Sequence, residues 1–180
     1  MMLMHRMMVE GKGLAAPNYI EGAALLAKAA EAGIPQAEHQ LAVMYEYGRG
    51  IQQDFSLAMK YYSRSAEKLF LESMYNLALM HAFGRGTPQN FQLARSLFDS
   101  AASYDHAPSI HYIGVFKTYG YGCEINYQQA VNWFERAAGL DDYRISAQSK
   151  QAADDLKNSI AEAEKRNEAF LDQLISRSEQ

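Results

Sequence analysis

In the segment PQAEHQLAVMYEYG, Ala37, Leu41, Met44 and Gly48 recur at spacings of four, three and four, which places them on one face of a helix. The pattern returns in LESMYNLALMHAFG and APSIHYIGVFKTYG. Each segment closes on a glycine (Gly48, Gly84, Gly120), the residue that enters the left-handed conformation after a helix without a Cβ penalty. A few residues on stand Asp54, Asn90 and Asn126, whose side chains suit an N-cap. A second amphipathic stretch follows each: FSLAMKYYSRSAE, FQLARSLFDSAAS and YQQAVNWFERAAG. Here Ala58, Ala94 and Ala130 are equivalent, as are Tyr62, Phe98 and Phe134. The closing pairs Ser65-Ala66, Ala101-Ala102 and Ala137-Ala138 are small and let neighbouring helices approach closely. Each unit therefore reads as two helices, A and B.

The units are copies of one another. Gly48-x-Gly50 recurs 36 residues on as Gly84-x-Gly86 and again as Gly120-x-Gly122, while Gly11-x-Gly13 is displaced by 37. Asn18, Asp54, Asn90 and Asn126 are 36 apart each time, and an aromatic follows each: Tyr19, Phe55, Phe91, Tyr127. Four copies at a fixed period predict an all-α solenoid over residues 1–141, with units of about 1–34, 35–70, 71–106 and 107–141. The period also decides the reading of YEYGRGIQQDF. A phosphate-cradling glycine loop is expected once, between a strand and a helix. A stretch repeated in every unit is instead a helix stop, a connection and the next cap. Arg49, matched by Lys12, Arg85 and Tyr121, is expected to be a solvated loop residue.

After Asp141 the repeat stops. Residues 142–180 lack glycine and proline, and Leu156, Ile160, Ala163, Asn167, Phe170 and Leu174 run at alternating steps of four and three. That stripe predicts a long amphipathic helix, with Asn158 and Asn167 as candidate breaks. It is expected to cap the last repeat, which solenoids need for solubility. A homodimer through this C-terminal helix is the alternative.

Composition narrows the functional classes. The chain is 48% hydrophobic and 21% charged, as soluble globular proteins are. A net charge of −4 argues against a general nucleic-acid or anionic-membrane binder, which needs concentrated basic surface. No apolar run approaches the ~18–20 residues of a membrane span. The lone Cys123 precludes an intramolecular disulfide and a multi-cysteine metal site, and is expected to be a spacer. The opening MMLMHRMMVEGKG is interrupted by His5 and Arg6 and lacks the plan of a signal peptide. A cytoplasmic protein is expected, or a periplasmic one if an export signal has been removed.

The order Leu41, Ala42, Tyr45, Gly48, Gly50, Asp54, Phe55, Ala58, Tyr61, Tyr62, Ser65, Ala66 resembles the Sel-one-like repeat, a cousin of the tetratricopeptide repeat. The last copy is the most typical in helix B, with Gly114, Gly120, Gly122, Ala130, Trp133, Phe134, Ala137 and Ala138. There are departures. The helix A tyrosine is Tyr45 in one copy but His81 and Lys117 in the next two, and the glycine after the closing pair is Gly33 but then Leu69, Asp105 and Asp141. Helix A of the first unit, near Met1 to Glu10, fits only in its apolar character.

The resemblance implies a right-handed α/α superhelix and a non-enzymatic, bacterial protein-binding module or adaptor. Its concave face would carry His39, Val43, Glu46 and Tyr47, then Glu72, Tyr75, Leu79 and Phe83, then His111, Val115, Thr118 and Tyr119. The column His39, Tyr75, His111 is expected to lead the contact with a protein or peptide. Tyr47, Phe83 and Tyr119 precede the turn glycines and either join that contact or fill space between units. Another role in such families is an immunity protein that neutralises a secreted toxin. A third class, hydrolysis as linked to cysteine-rich relatives, predicts turnover abolished by His39→Ala or His111→Ala. Nothing in the chain carries that activity over, since paired cysteines and a serine-lysine motif are both absent. The histidines form no His-Glu-x-x-His pattern and no Gly-x-Ser-x-Gly occurs. Tyr75 interrupts the histidine column, so no catalytic residue, metal or cofactor is expected.

Overall fold

Three side chains start helices where the repeat places them. Asp54 Oδ1 accepts the Leu57 amide at 2.9 Å, Asn90 Oδ1 the Leu93 amide at 2.9 Å, and Asn126 Oδ1 the Gln129 amide at 2.8 Å. Gly48, Gly84 and Gly120 stop the preceding helices with φ of 66°, 65° and 73°, their amides returning to the carbonyls of Met44, Met80 and Phe116. The computed structural model describes residues 19–178, and the regular elements there are all helices. They are α1 (Tyr19–Glu31), α2 (Pro35–Tyr47), α3 (Phe55–Ala66), α4 (Leu71–Phe83), α5 (Phe91–Ala102), α6 (Ala107–Tyr119), α7 (Tyr127–Ala138) and α8 (Tyr143–Ser178). The helix expected near Met1 to Glu10, the Gly11-x-Gly13 pair and the Asn18 cap lie outside the described residues.

The chain divides after Tyr104 into two compact units. The first holds α1, a helix B, followed by the A–B pairs α2–α3 and α4–α5. Tyr62 of α3 and Phe98 of α5 are fully buried, as are the alanines Ala42, Ala58, Ala78, Ala94 and Ala101. Large rings thus sit in recesses lined by small residues, each buried ring contributing about 1.5–3 kcal/mol. Of the closing pair, Ser65 is fully buried and its hydroxyl donates to the Pro35 carbonyl at 2.9 Å. The second glycine of the loop has a separate role from the first. At Gly86 (φ +74°) a Cβ would overlap Phe55 Cβ, so only glycine lets this loop close on the start of α3.

One ion-paired acid in this unit, Glu38, has no signature in the repeat. Glu38 is fully buried, with Lys68 Nζ 2.7 Å from Oε2. Arg64 Nη2 stands 2.9 Å from Oε1 without the alignment of a hydrogen bond. The same two cations donate to the carbonyls of Ala30 and Gly33, tying α3 to the turn before α2.

Leu69 and Asp105 occupy the position of Gly33 and keep its left-handed backbone, with φ of 59° and 55° against 79°. A left-handed residue with a Cβ costs roughly 1–2 kcal/mol, partly offset by the greater freedom glycine has when unfolded. Leu69 is exposed and loses little burial on truncation. Leu69→Gly should therefore raise stability by about 0.5–1 kcal/mol, read as a higher urea midpoint at unchanged slope.

The second unit contains α6, α7 and α8. Gly114 lets α6 approach α7 closely, since a Cβ there would lie 2.7 Å from Phe134 Cε1. The C-terminal helix is continuous through Asn158 and Asn167. Its residues Ser149, Ala153 and Leu156 repeat the spacing of Ala37-Leu41-Met44, Ser73-Leu77-Met80 and Ser109-Ile113-Phe116. Ser149 and Ala153 are buried, and Leu156 lies against the cluster formed by Ala130, Phe134 and Ala153. The helix accordingly enters as one more helix A. Asp154 stands where the other helices have Ala42, Ala78 and Gly114, and it is exposed. A charge on the face that would receive a further helix B is what a solenoid cap requires. Ile160 matches the stop glycine, so α8 runs on, and residues 161–170 are all exposed.

Candidate partner-binding surface

Helix A supplies every expected contact residue, and burial sorts them. In the first unit, His39 on α2 is partly buried between the rings of Tyr62 and Phe70, 5.6 and 5.1 Å away between centroids. Its Nδ1 lies 2.9 Å from Ser73 Oγ. Ser73 Oγ donates to Ser65 Oγ at 2.8 Å, and Ser65 in turn to the Pro35 carbonyl. A hydroxyl has one proton to give, so Nδ1 carries the hydrogen and donates to Ser73. The pair therefore does not match a nucleophile facing its base: Ser73 is fully buried and its proton is already placed.

Burial lowers the His39 pKa to about 4, against a smaller raising effect of Glu72. The folded state thus keeps a neutral ring that the unfolded chain protonates below about 6.5. Its contribution is complete above that value and is lost as the pH falls towards 4. We expect about 1–3 kcal/mol of stability to disappear between pH 7 and 4 that a His39→Gln variant does not lose. Urea titrations of both proteins at the two pH values check it.

Glu46, expected as an acid open to a partner, is 5% exposed. It accepts the Tyr62 hydroxyl at 2.8 Å and pairs with Arg85 Nη1 at 2.6 Å. Desolvation, reinforced by the charge of Glu46, raises the Tyr62 pKa and keeps the phenol a donor. Arg85 therefore differs from the solvated loop residue expected at its position, whereas Arg49 is exposed. Val43, Tyr75 and Leu79 are partly buried, with the Tyr75 ring 5.9 Å from Phe98. Glu72 is exposed. So are Tyr47 and Phe83, at 55% and 58%, each with a guanidinium over its ring: Arg49 at 5.2 Å and Arg85 at 5.5 Å.

The second unit repeats this division. His111 is buried, its Nδ1 2.8 Å from Ser149 Oγ of α8, and burial lowers its pKa. Tyr119 is 63% exposed and stacks on Tyr121. The order of accessibility is thus the reverse of that expected, with His39 and His111 withdrawn and the aromatics before the glycines presented. The reason is the serine that α4 and α8 each supply, Ser73 and Ser149, as a partner for the histidine. Val115, Thr118 and Tyr119 line a cleft of about 350 Å³ together with His111 and Phe134. Gln148, Ala152, Asp155, Leu156 and Ser159 of α8 complete it. These α8 residues were missed in the sequence because the positions of α8 that match α6 lie 40 residues on, as Ser149 does from Ser109, a four-residue departure from the 36-residue period. The Ser149-Ala153-Leu156 spacing is the signal that finds them.

Among the described residues, no three histidine, cysteine, aspartate or glutamate side chains gather as a metal site. None of the described helices is long and apolar enough to cross a membrane. Cys123 is partly buried, its thiol directed at the Phe116 carbonyl at 3.5 Å.

Paired helices at a fixed period, with exposed aromatics on helix A and a charged terminal cap, define an α-solenoid of about four two-helix repeats plus a C-terminal helix. The Sel1 repeat model matches residues 6–34, 35–68, 71–105 and 107–142, and the chain belongs to that family. Sel1 repeats generally mediate protein–protein interactions and are typically non-catalytic. A Sel1 repeat protein from Oxalobacter formigenes aligns with a TM-score of 0.76 and 27% identity, over 83% of this chain and 61% of its own. A protective antigen of uropathogenic Escherichia coli with the same fold aligns with a TM-score of 0.72 and 23% identity, over 82% of this chain and 32% of its own. The chain thus spans less than two thirds of either. None of the curated proteins matches it.

Proposed function

We propose that this chain is a non-enzymatic adaptor that engages a partner protein or peptide through the exposed ends of its helix A faces. The carrying observation is that Tyr47, Phe83 and Tyr119, equivalent in three successive repeats, are all more than half exposed. Large aromatics with few rotatable bonds lose little entropy on contact and dominate binding at protein interfaces. Within each unit the helix ends are set by caps and buried rings, so the aromatics of that unit are held in place and lose little freedom on association.

Affinity capture with the full chain, beside a Tyr47→Ser/Phe83→Ser/Tyr119→Ser variant, tests this. The variant should melt with the native protein and lose the specifically captured protein, weakened about tenfold or more. An identical set of captured proteins from both would contradict the reading.

A further inference from the structure

The rim of the cleft in the second unit carries several acceptors and one carboxylate, beside the Gln148 amide and the Tyr119 hydroxyl, which can also donate. Thr118 Oγ1 donates its single proton to the Gly114 carbonyl at 3.0 Å, and Ser159 Oγ donates to the Asp155 carbonyl at 2.9 Å. Towards an incoming group both hydroxyls therefore act as acceptors. Asp155 is the one carboxylate among the lining side chains. Its Oδ1 takes the Gln151 amide at 2.7 Å, which leaves Oδ2 for a ligand. At the edge Tyr119, stacked on Tyr121 with centroids 5.6 Å apart, offers a ring face of the kind that attracts a cation. Below the rim the walls are Val115, Phe134 and Leu156.

A rim whose one charged group is a carboxylate, over apolar walls, complements a flexible alkyl stem ending in a positive charge. A neutral apolar group would fill the walls and leave Asp155 unpaired. An acidic group would meet its charge. We propose that this cleft takes a lysine or arginine side chain from a partner's segment, the stem lying on Val115, Phe134 and Leu156 and the cation at Asp155 and the Tyr119 ring. The proposal rests on the protein-binding reading above and narrows it to a basic segment. Asp155 and Ser159 also distinguish α8 from the other helix A segments. At the position of Asp155 stand Val43, Leu79 and Val115, and at that of Ser159 stand Tyr47, Phe83 and Tyr119. The acidic rim is thus peculiar to the cleft that α8 closes.

The test is selection of a random peptide library on the full chain, in parallel on Asp155→Asn and on Ala152→Phe, which fills the cleft. The native chain should select peptides that share a lysine or arginine. Replacing that residue by norleucine, or by citrulline for arginine, should weaken binding about tenfold or more, as should Asp155→Asn in a protein of unchanged Tm. Ala152→Phe should abolish binding. If that variant does not fold, the norleucine and Asp155→Asn comparisons decide alone. Selected peptides with no shared basic residue, equal affinity for the norleucine form, equal affinity of Asp155→Asn, or no selection at all would each overturn the proposal. A Tyr47→Ser/Phe83→Ser variant, which leaves the cleft intact, keeps the capture experiment independent of these results, so the broader reading fails or stands separately.

Discussion

Replacing Arg64 and Lys68 together by methionine should cost about 3–5 kcal/mol of folding stability. Both side chains reach solvent, each more than one third exposed, so their loss would look minor by exposure alone. The consequence falls on Glu38, whose carboxylate is fully buried and has these two cations as its ionic partners. Without them a desolvated negative charge remains, and the fold keeps it at high cost or opens to hydrate it. Adding Glu38→Leu to the double variant should recover most of the loss, because an apolar side chain of similar size has no charge to leave unpaired. Urea unfolding of the three proteins reads the effect. A double variant within about 1 kcal/mol of the native chain would show that the pairing contributes no more than a surface ion pair does.

Gly86→Ala should cost about 2–4 kcal/mol, from two sources that a control separates. The first is backbone strain, since φ is +74°. The second is steric: the new methyl would overlap Phe55 Cβ, with the Phe55 backbone only 3.3 and 3.4 Å away. A backbone and a Cβ do not swing aside as the tip of a side chain does. Gly48→Ala isolates the first source. It has φ +66° but meets Gln53 Cβ at an ordinary 3.4 Å, so about 1 kcal/mol is expected there. Equal losses at the two sites would mean that the close approach to Phe55 relaxes without cost.

Local features of the fold were legible in the sequence, because capping and helix periodicity operate within a few residues. Asp54, Asn90 and Asn126 form the caps read for them, and Tyr62, Phe98 and Phe134 are the buried rings. The surface was less legible, because whether a helix A side chain is free depends on its neighbour across the repeat. Glu46 meets Arg85 39 residues on, and Glu38 meets Lys68 30 residues on. The histidines lose their freedom to Ser73 and Ser149, which stand on the next helix A of their unit, 34 and 38 residues on. The C-terminal helix hid its part for a third reason. A four-residue change of phase separated it from the period, so it read as a tail rather than as a wall of the cleft.

The most direct measurement of the central claim is site-specific photocrosslinking in cells of the organism the chain comes from. A photoreactive phenylalanine analogue replaces Tyr47, Phe83 or Tyr119 on helix A, or the exposed Gln128 on helix B. The account predicts a shared partner adduct from the helix A positions and none from position 128. Adducts from position 128 with none from helix A would contradict it.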